Sequence, residues 1–505
     1  MSPATNVGSP TPPIDIAGGA AEATGRLTAP VVLLDDGFLA QLGEACADVR
    51  LDPGERAEAS RDWWPLAMVW ATQGQVGQVA GAVARPTSTD EVSAVMRVCN
   101  DARIPVTPAG GRSSVVGGTV PVHGGVVLDL TGLVGIEEVD VASGTVQVLA
   151  GTFGDLFEAE LQRDHGVTVG HWPQSMALST VGGWLACRGA GQLSNRYGKI
   201  EDIVLALEVV LADGTVVHTG ARAPHAVGPD LTHLFVGAEG TLGIITRAWL
   251  KAWPVSDQTT RGAWSFPTFS AALDAMRRIT QRGAPVAVLR LYDGIESQRN
   301  FSTETTDNVL LAYDEGDLTM ITAAMQVVVE ECAEATPLDD GLVEQWFGHR
   351  NNVDALEALI SRGYVVDTME VSGPWSALDD IYEAATAAIS AVPGTLAASA
   401  HQSHSYVTGG CLYFTFAAQV GPDEREAYYR AAWDAGTRAV LAHGGTLSHH
   451  HAIGLNRARF MPEVLGTGLD VLAAVKASLD PNGICNPGKL GLPDPFGGQA
   501  WPEGE

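Results

Sequence analysis

The 505-residue sequence predicts an α+β fold of more than one domain, and three observations carry that expectation. A β-α-β unit is legible between residues 79 and 108: an apolar run, a helix opened by Thr87-Ser88-Thr89-Asp90, then a second apolar run. Glycine-rich, small-residue loops interrupt the chain at 108–115, 173–184 and 237–246. Beyond residue 254 amphipathic helices alternate with strands, as in an antiparallel sheet flanked by helices. A single core stops growing beyond roughly 250–300 residues, so about two to three domains are expected.

The elements follow in order. Residues 1–25 are rich in Pro, Gly, Ala and Thr and lack a basic start or an apolar run, so they read as a disordered leader rather than a signal peptide. A helical segment over 31–72 carries Trp63, Trp64 and Trp70, rings expected to pack against a neighbouring domain. Strands are expected at 79–84, 104–108, 126–130 and 145–150, with helices at 87–101 and 153–165. The apolar run 204–211, the Asp213-Gly214 turn and the returning run 216–218 form a hairpin. Later come helices at 271–281, 378–392 and 423–443 and strands at 286–292 and 411–416. This divides the chain into a first domain over 26–254, a cap over 255–444 and a segment over 445–505 that returns to complete the first domain.

Composition narrows the partners. A formal charge of −29 argues against nucleic acid, whose phosphates need clustered Lys and Arg, and against electrostatic binding to an anionic membrane, while leaving room for a local basic pocket. Six cysteines with no CxxC pair read as reduced thiols rather than a disulfide or metal framework. No apolar run reaches the ~18 residues that span a bilayer, so the cytoplasm is the expected location. A small-molecule substrate is the expected partner, and the sequence leaves room for a homodimer.

Pro108-Ala109-Gly110-Gly111-Arg112-Ser113-Ser114-Val115 follows a strand, and paired glycines let backbone N–H groups turn into an anion-binding nest. Alone, such a loop is equally a plain turn. A second loop repeats its character with Pro173, Ser175, Ser179, Thr180, Gly182 and Gly183. A third holds Glu239, Gly240, Thr241, Gly243, Ile244, Ile245 and Thr246. In this order, with Tyr197-Gly198, Pro229-Asp230-Leu231 and the tail 479–489, the loops resemble the FAD domain of vanillyl-alcohol-oxidase-like, PCMH-type flavoproteins. The resemblance implies a two-subdomain FAD-binding domain under a cap. It places Gly110 to Ser114 on the pyrophosphate, the second loop on the flavin and ribityl chain, and the third on adenine and ribityl. Asn486 and Lys489 would close the site from the tail. Covalent members often carry His after the paired glycines; Arg112 stands there, and a guanidinium is no nucleophile, so FAD is expected to be held without a covalent bond.

The run Ser448-His449-His450-His451 sits between Gly444-Gly445 and Gly454. On an extended segment His449 and His451 would face one way and His450 the other. Together with His404-x-Tyr406 and Leu412-Tyr413-Phe414-Thr415, the run resembles the alkylglycerone-phosphate-synthase-like branch of the superfamily. That resemblance implies Tyr413 as acid/base, with His404, His449, His450 and His451 around it, and the clustered imidazoles are expected to supply the cation that a phenol of pKa ~10 needs. Packing of Tyr413 in the strand core is the lesser alternative. The branch also implies an arginine shortly before the segment matching Val366-Asp367-Thr368; here Arg350 is not clearly in register. No metal is expected, because Cys411 and His450 stand where zinc-dependent relatives carry His and Glu. The sequence therefore points to FAD-dependent hydride removal from an alcohol or hydroxy acid, with oxygen or a carrier as electron acceptor. The alternatives are a transferase that exchanges acyl for alkyl on a glycerone phosphate, or a non-catalytic flavin-binding protein.

Overall fold

Residues 8–220, 223–302, 307–498 and 501 are described by a computed structural model. Residues 1–7 of the expected leader and residues 502–505 lie outside the described residues.

Three larger sheets, beside two two-stranded ones, build the described residues. The first holds β1 (Val49–Arg50), β2 (Ala82–Ala84), β3 (Val106–Ala109) and β4 (Val126–Asp129) in the order β1-β2-β4-β3. Pairs β2–β4 and β3–β4 are parallel, as a β-α-β crossover requires. The second holds β5 (Ile136–Asp140), β6 (Thr145–Leu149), β7 (Val204–Val210), β8 (Val216–His218) and β9 (Ile244–Lys251), antiparallel in the order β8-β7-β9-β6-β5. The third is antiparallel and seven-stranded: β10 (Thr259–Phe266), β11 (Val288–Tyr292), β12 (Asn308–Glu315), β13 (Thr336–Leu338), β14 (Val365–Pro374), β15 (Thr395–Ser405) and β16 (Gly409–Ala418), ordered β13-β10-β12-β11-β15-β16-β14. Mixed helix and antiparallel sheet is the α+β class that the sequence predicts.

Five helices matter for the site: α1 (Pro65–Ala71), α2 (Thr89–Ala102), α3 (Val181–Cys187), α4 (Gly341–His349) and α5 (Arg425–Ala442). Helix α2 starts where Ser88 Oγ accepts from Glu91 N at 3.2 Å and stops at Arg103 in the left-handed region, φ 53°. The tail docks on the first sheet: Val106 N donates to Ile484 O and Asn486 N to Val106 O, both at 2.8 Å.

Two expectations change. The 31–72 segment is three short helices rather than one, because Pro53 and Pro65 each open a new helix and β1 lies between. The expected leader packs on the fold from Thr11: Trp63 Nε1 donates to Thr11 O at 3.0 Å, Ile16 is buried, and Thr24 pairs with Gln75. Trp64 and Trp70 do meet another part of the chain. Trp64 Nε1 donates to Tyr429 Oη at 2.8 Å. Glu426, on α5, collects Trp70 Nε1 at 3.0 Å, Arg26 Nε at 3.1 Å and Trp501 Nε1 at 2.9 Å. One carboxylate thus gathers four distant segments. All six cysteines are free, and no helix among the described residues is long and apolar enough to cross a membrane.

Candidate active site

The three glycine-rich loops meet. A Cβ placed on Gly111 would stand 1.9 Å from Leu178 O, and one on Gly110 would stand 2.3 Å from Thr180 Oγ1. At Gly240 it would meet Pro108 Cγ at 2.3 Å. The loops therefore touch at backbone distance, which any side chain there would prevent. They border one cavity of about 990 Å³ that extends under the third sheet.

Residues 108–115 line it throughout, including Arg112, which adopts the left-handed φ of 56°. Pro173, Ser175, Ser179, Thr180, Gly182 and Gly183 line it from the second loop. Glu239, Gly240, Gly243, Ile244 and Ile245 line it from the third. Four predicted residues stand behind the wall. Thr241 Oγ1 donates to Ala238 O, and Thr246 Oγ1 donates to Glu208 Oε1 at 2.8 Å. Asn486 Nδ2 donates to Glu239 O at 2.7 Å, and buried Lys489 donates to Val120 O at 2.8 Å. These brace the loops rather than face the space.

The wall carries polar atoms that the chain leaves unanswered. His171 is fully buried, and neither ring nitrogen has a partner; burial pushes its pKa down to about 3. Gln192 Oε1 is also unpartnered and lies on the same wall. Buried polar groups are normally hydrogen-bonded, so this cradle of small residues and orphaned atoms fits an elongated polar ligand such as a dinucleotide.

At the other end of the cavity the third sheet delivers the chemistry. Tyr413 on β16 lies opposite Glu370 on β14 and His401 on β15. Its hydroxyl contacts His450 Nε2 at 3.3 Å and makes a short contact with His451 Nε2. His449 turns away from Tyr413: its Nδ1 meets His450 Nδ1 at 2.8 Å and its Nε2 meets Tyr406 Oη at 2.9 Å. The alternation expected of an extended run fails because Glu370 bends the segment around itself. Its buried carboxylate accepts from Ser448 Oγ at 2.6 Å, from the backbone N–H of His449 at 2.5 Å, His450 at 3.2 Å and His451 at 2.9 Å, and from Arg457 Nη1 at 2.8 Å. His404 sits at a β-bulge with φ 56°, Nδ1 2.7 Å from Ser194 Oγ, and stacks on His449 at 5.0 Å.

The electrostatics reverse one expectation. Burial, then the neighbouring imidazoles and cations, holds His404, His449 and His450 well below the usual histidine range, and burial takes His451 down to about 4 against the pull of Glu370. Burial and then Glu370 push the Tyr413 phenol well above its usual value. At neutral pH the cluster is therefore uncharged: four neutral imidazoles that burial keeps from holding a proton's charge and a phenol that keeps its proton. The imidazoles do not act as cations for Tyr413; the fixed positive charges near it are Arg290 and Arg457.

Several residues here were given no place in the site from the sequence. Arg290 Nη2 donates to His401 Nε2 at 2.7 Å, and His401 Nδ1–H donates to Glu296 at 2.8 Å, which fixes the tautomer. Burial raises Glu296, but His401 and Arg299 outweigh it and hold the carboxyl at about 2. Arg350 lies with its guanidinium 4.4 Å from the Phe347 ring centroid, has no partner for Nη1, and lines the cavity. A charged residue inside an apolar strand pattern, as Arg290 and Glu370 are, is the signal that could have found two of them. Glu370, Cys411, His449 and His450 bring potential metal ligands within 4.8 Å of one another, but the carboxylate is already occupied by five donors.

Comparison with known proteins agrees with this geometry. Residues 80–220 match the FAD binding domain model, and 256–490 match the C-terminal domain model of FAD linked oxidases. An uncharacterized FAD-linked oxidoreductase YgcU of Escherichia coli O157:H7 is 31% identical over 82% of this chain and 89% of its own. Alkyldihydroxyacetonephosphate synthase of Trypanosoma brucei brucei is 28% identical over 94% of this chain and 83% of its own. A solved alkyldihydroxyacetonephosphate synthase superposes with a TM-score of 0.78 at 24% identity, covering 96% of this chain and 90% of that one, which establishes the fold. With loops, cap and relatives in accord, the chain belongs to the FAD-linked oxidase family, and its cofactor is FAD.

Proposed function

We infer that this protein is an FAD-dependent oxidoreductase that oxidises a small alcohol bearing an anionic group, with a hydroxy acid as the best-fitting class. The observation that carries the reading is the neutral cluster of Tyr413, His450 and His451 on the wall of the same cavity that the glycine-rich loops border. Bound FAD supplies a two-electron acceptor for the hydrogen leaving the substrate carbon. The chain supplies the rest. Neutral imidazoles are ready to receive the hydroxyl proton, with Tyr413 between them. Arg290 and Arg350 flank the Trp346 ring, at 5.8 and 5.9 Å from its centroid, and offer donors to a carboxylate or phosphate. Arg112 in the pyrophosphate loop, with no histidine among residues 108–115, supports dissociable rather than covalent FAD.

A transferase exchanging acyl for alkyl on a glycerone phosphate is the second reading. It is favoured by the synthase likeness over 94% of the chain and by Arg350 reaching the cavity despite its uncertain register. Anaerobic addition of alcohols and hydroxy acids to the yellow protein separates the two. Bleaching supports oxidation, whereas fatty acid release from acyl-glycerone phosphate plus a fatty alcohol supports transfer. Tyr413→Phe and His450→Ala are each expected to slow turnover about 10²-fold or more; full turnover in both variants would remove the cluster from the chemistry. Denaturation is expected to release all the flavin into the supernatant.

A further inference from the structure

The cluster holds more groups than a single proton transfer requires. His450, Tyr413 and His451 line the cavity, but His449 and Tyr406 do not, and yet they continue the same line of hydrogen bonds. The steps are Tyr413 Oη to His450 Nε2 at 3.3 Å, His450 Nδ1 to His449 Nδ1 at 2.8 Å, and His449 Nε2 to Tyr406 Oη at 2.9 Å. Both nitrogens of His450 and of His449 are used, one toward Tyr413 and one toward Tyr406. Tyr406 follows β15 and is half-buried; burial raises its phenol well above the usual value, and the next residue, Val407, is 64% exposed. Glu370 holds the backbone N–H groups of all three histidines, so the rings stay in register.

We propose that Tyr413, His450, His449 and Tyr406 form a proton relay that carries the substrate's hydroxyl proton from the cavity to water at the surface. The proposal rests on the oxidoreductase reading, in which that proton must leave. In the resting arrangement Tyr413 O–H donates to His450 Nε2, His450 Nδ1–H to His449 Nδ1, and His449 Nε2–H to Tyr406 Oη. As the substrate O–H breaks, Tyr413 takes that proton and passes its own to His450 Nε2. His450 gives up its Nδ1 proton to His449 Nδ1, His449 gives up its Nε2 proton to Tyr406, and the Tyr406 proton goes to water. Each group gains one proton and loses one, so no ring ends charged, and one proton has crossed.

This accounting suits the burial of the cluster. A single buried imidazole acting as a simple base would have to hold a positive charge where desolvation opposes it. A relay spares each ring that charge, and it gives Tyr406 and the third histidine a purpose that cavity contact does not.

The FAD-loaded protein tests the proposal through Tyr406→Phe and His449→Gln, with flavin absorbance showing that each has folded and loaded. Tyr406→Phe is expected to slow anaerobic flavin reduction by glycolate, or by another hydroxy acid that bleaches the wild type, about tenfold at saturation, with KM changed less than about twofold. It is also expected to gain a solvent deuterium isotope effect and to recover rate in concentrated imidazole buffer, which delivers a small proton carrier. An unchanged rate and isotope effect would overturn the relay, and so would a loss that buffer does not restore. His449→Gln, whose amide cannot pass a proton on, should behave alike. A substrate-free arm separates failure of the relay from failure of the oxidoreductase reading. The wild-type holoenzyme should show an exchange-protected, far-downfield imidazole N–H proton by NMR, shifted in Tyr406→Phe. Its absence, or its indifference to Tyr406, would overturn the relay whatever the reaction proves to be.

Discussion

At the scale of single residues, burial decides the charge state. His171 and His451 are neutral in the fold, with pKa values of about 3 and about 4, whereas an unfolded histidine titrates near ~6.5. A depressed folded value means that the stabilisation is complete above the unfolded pKa and is lost as pH falls toward the folded one. Between pH 6.5 and 5 each of these two groups is expected to cost about 2 kcal/mol, readable as a lower denaturant midpoint at pH 5 than at pH 7.5. Flavin reduction should show no acid limb near 6.5; a limb there would mean the cluster titrates as exposed histidine does. The cluster was legible because three adjacent histidines between glycines are rare, and Tyr413 because of its motif. Glu370, Arg290 and His401 were not, because their roles arise from cross-strand register, which a one-dimensional pattern does not reveal.

Elements carry the next level of argument. The β-α-β unit and the Asp213-Gly214 hairpin could be read directly, since local turn chemistry sets both. The broken helices over 31–72 could not, because hydrophobic residues persist across Pro53 and Pro65 while the helix does not. Gly111→Ala is expected to abolish FAD binding, since its new methyl would collide with Leu178 O and force two loops apart. Absorbance of the purified variant checks this, and a yellow product would contradict the loop contact. On β14, Asp367 accepts from Tyr429 Oη at 2.5 Å and Trp433 Nε1 at 3.0 Å on α5, and burial raises its carboxyl to about 7. A raised folded value means its contribution is present at low pH and is lost as pH rises from about 4 toward 7. Asp367→Asn should therefore flatten that part of the melting-temperature profile; an unaltered profile would place the titration elsewhere.

For the whole molecule, the Glu426 carboxylate is the tie between halves. It joins α5 to Arg26, Trp70 and Trp501, so Glu426→Ala should loosen all three contacts at once. Leaving two buried indole N–H groups unpaired is expected to cost about 2–4 kcal/mol, and differential scanning calorimetry should show a lower transition. Midpoints equal to the wild type would show that the tie is dispensable. The return of the tail to the first sheet also sets an order of events. Val106 waits for Ile484 and Asn486 to pair with it, and the glycine-rich loop immediately after Val106 is braced by Lys489 through Val120. On the ribosome, a nascent chain that has finished both sheets of its first half still lacks this back wall, separated from it by more than two hundred and thirty residues of synthesis. Flavin capture is thereby expected only of a nearly finished polypeptide: a chain truncated before Ile484 should purify colourless, and a yellow one would show that the tail is dispensable.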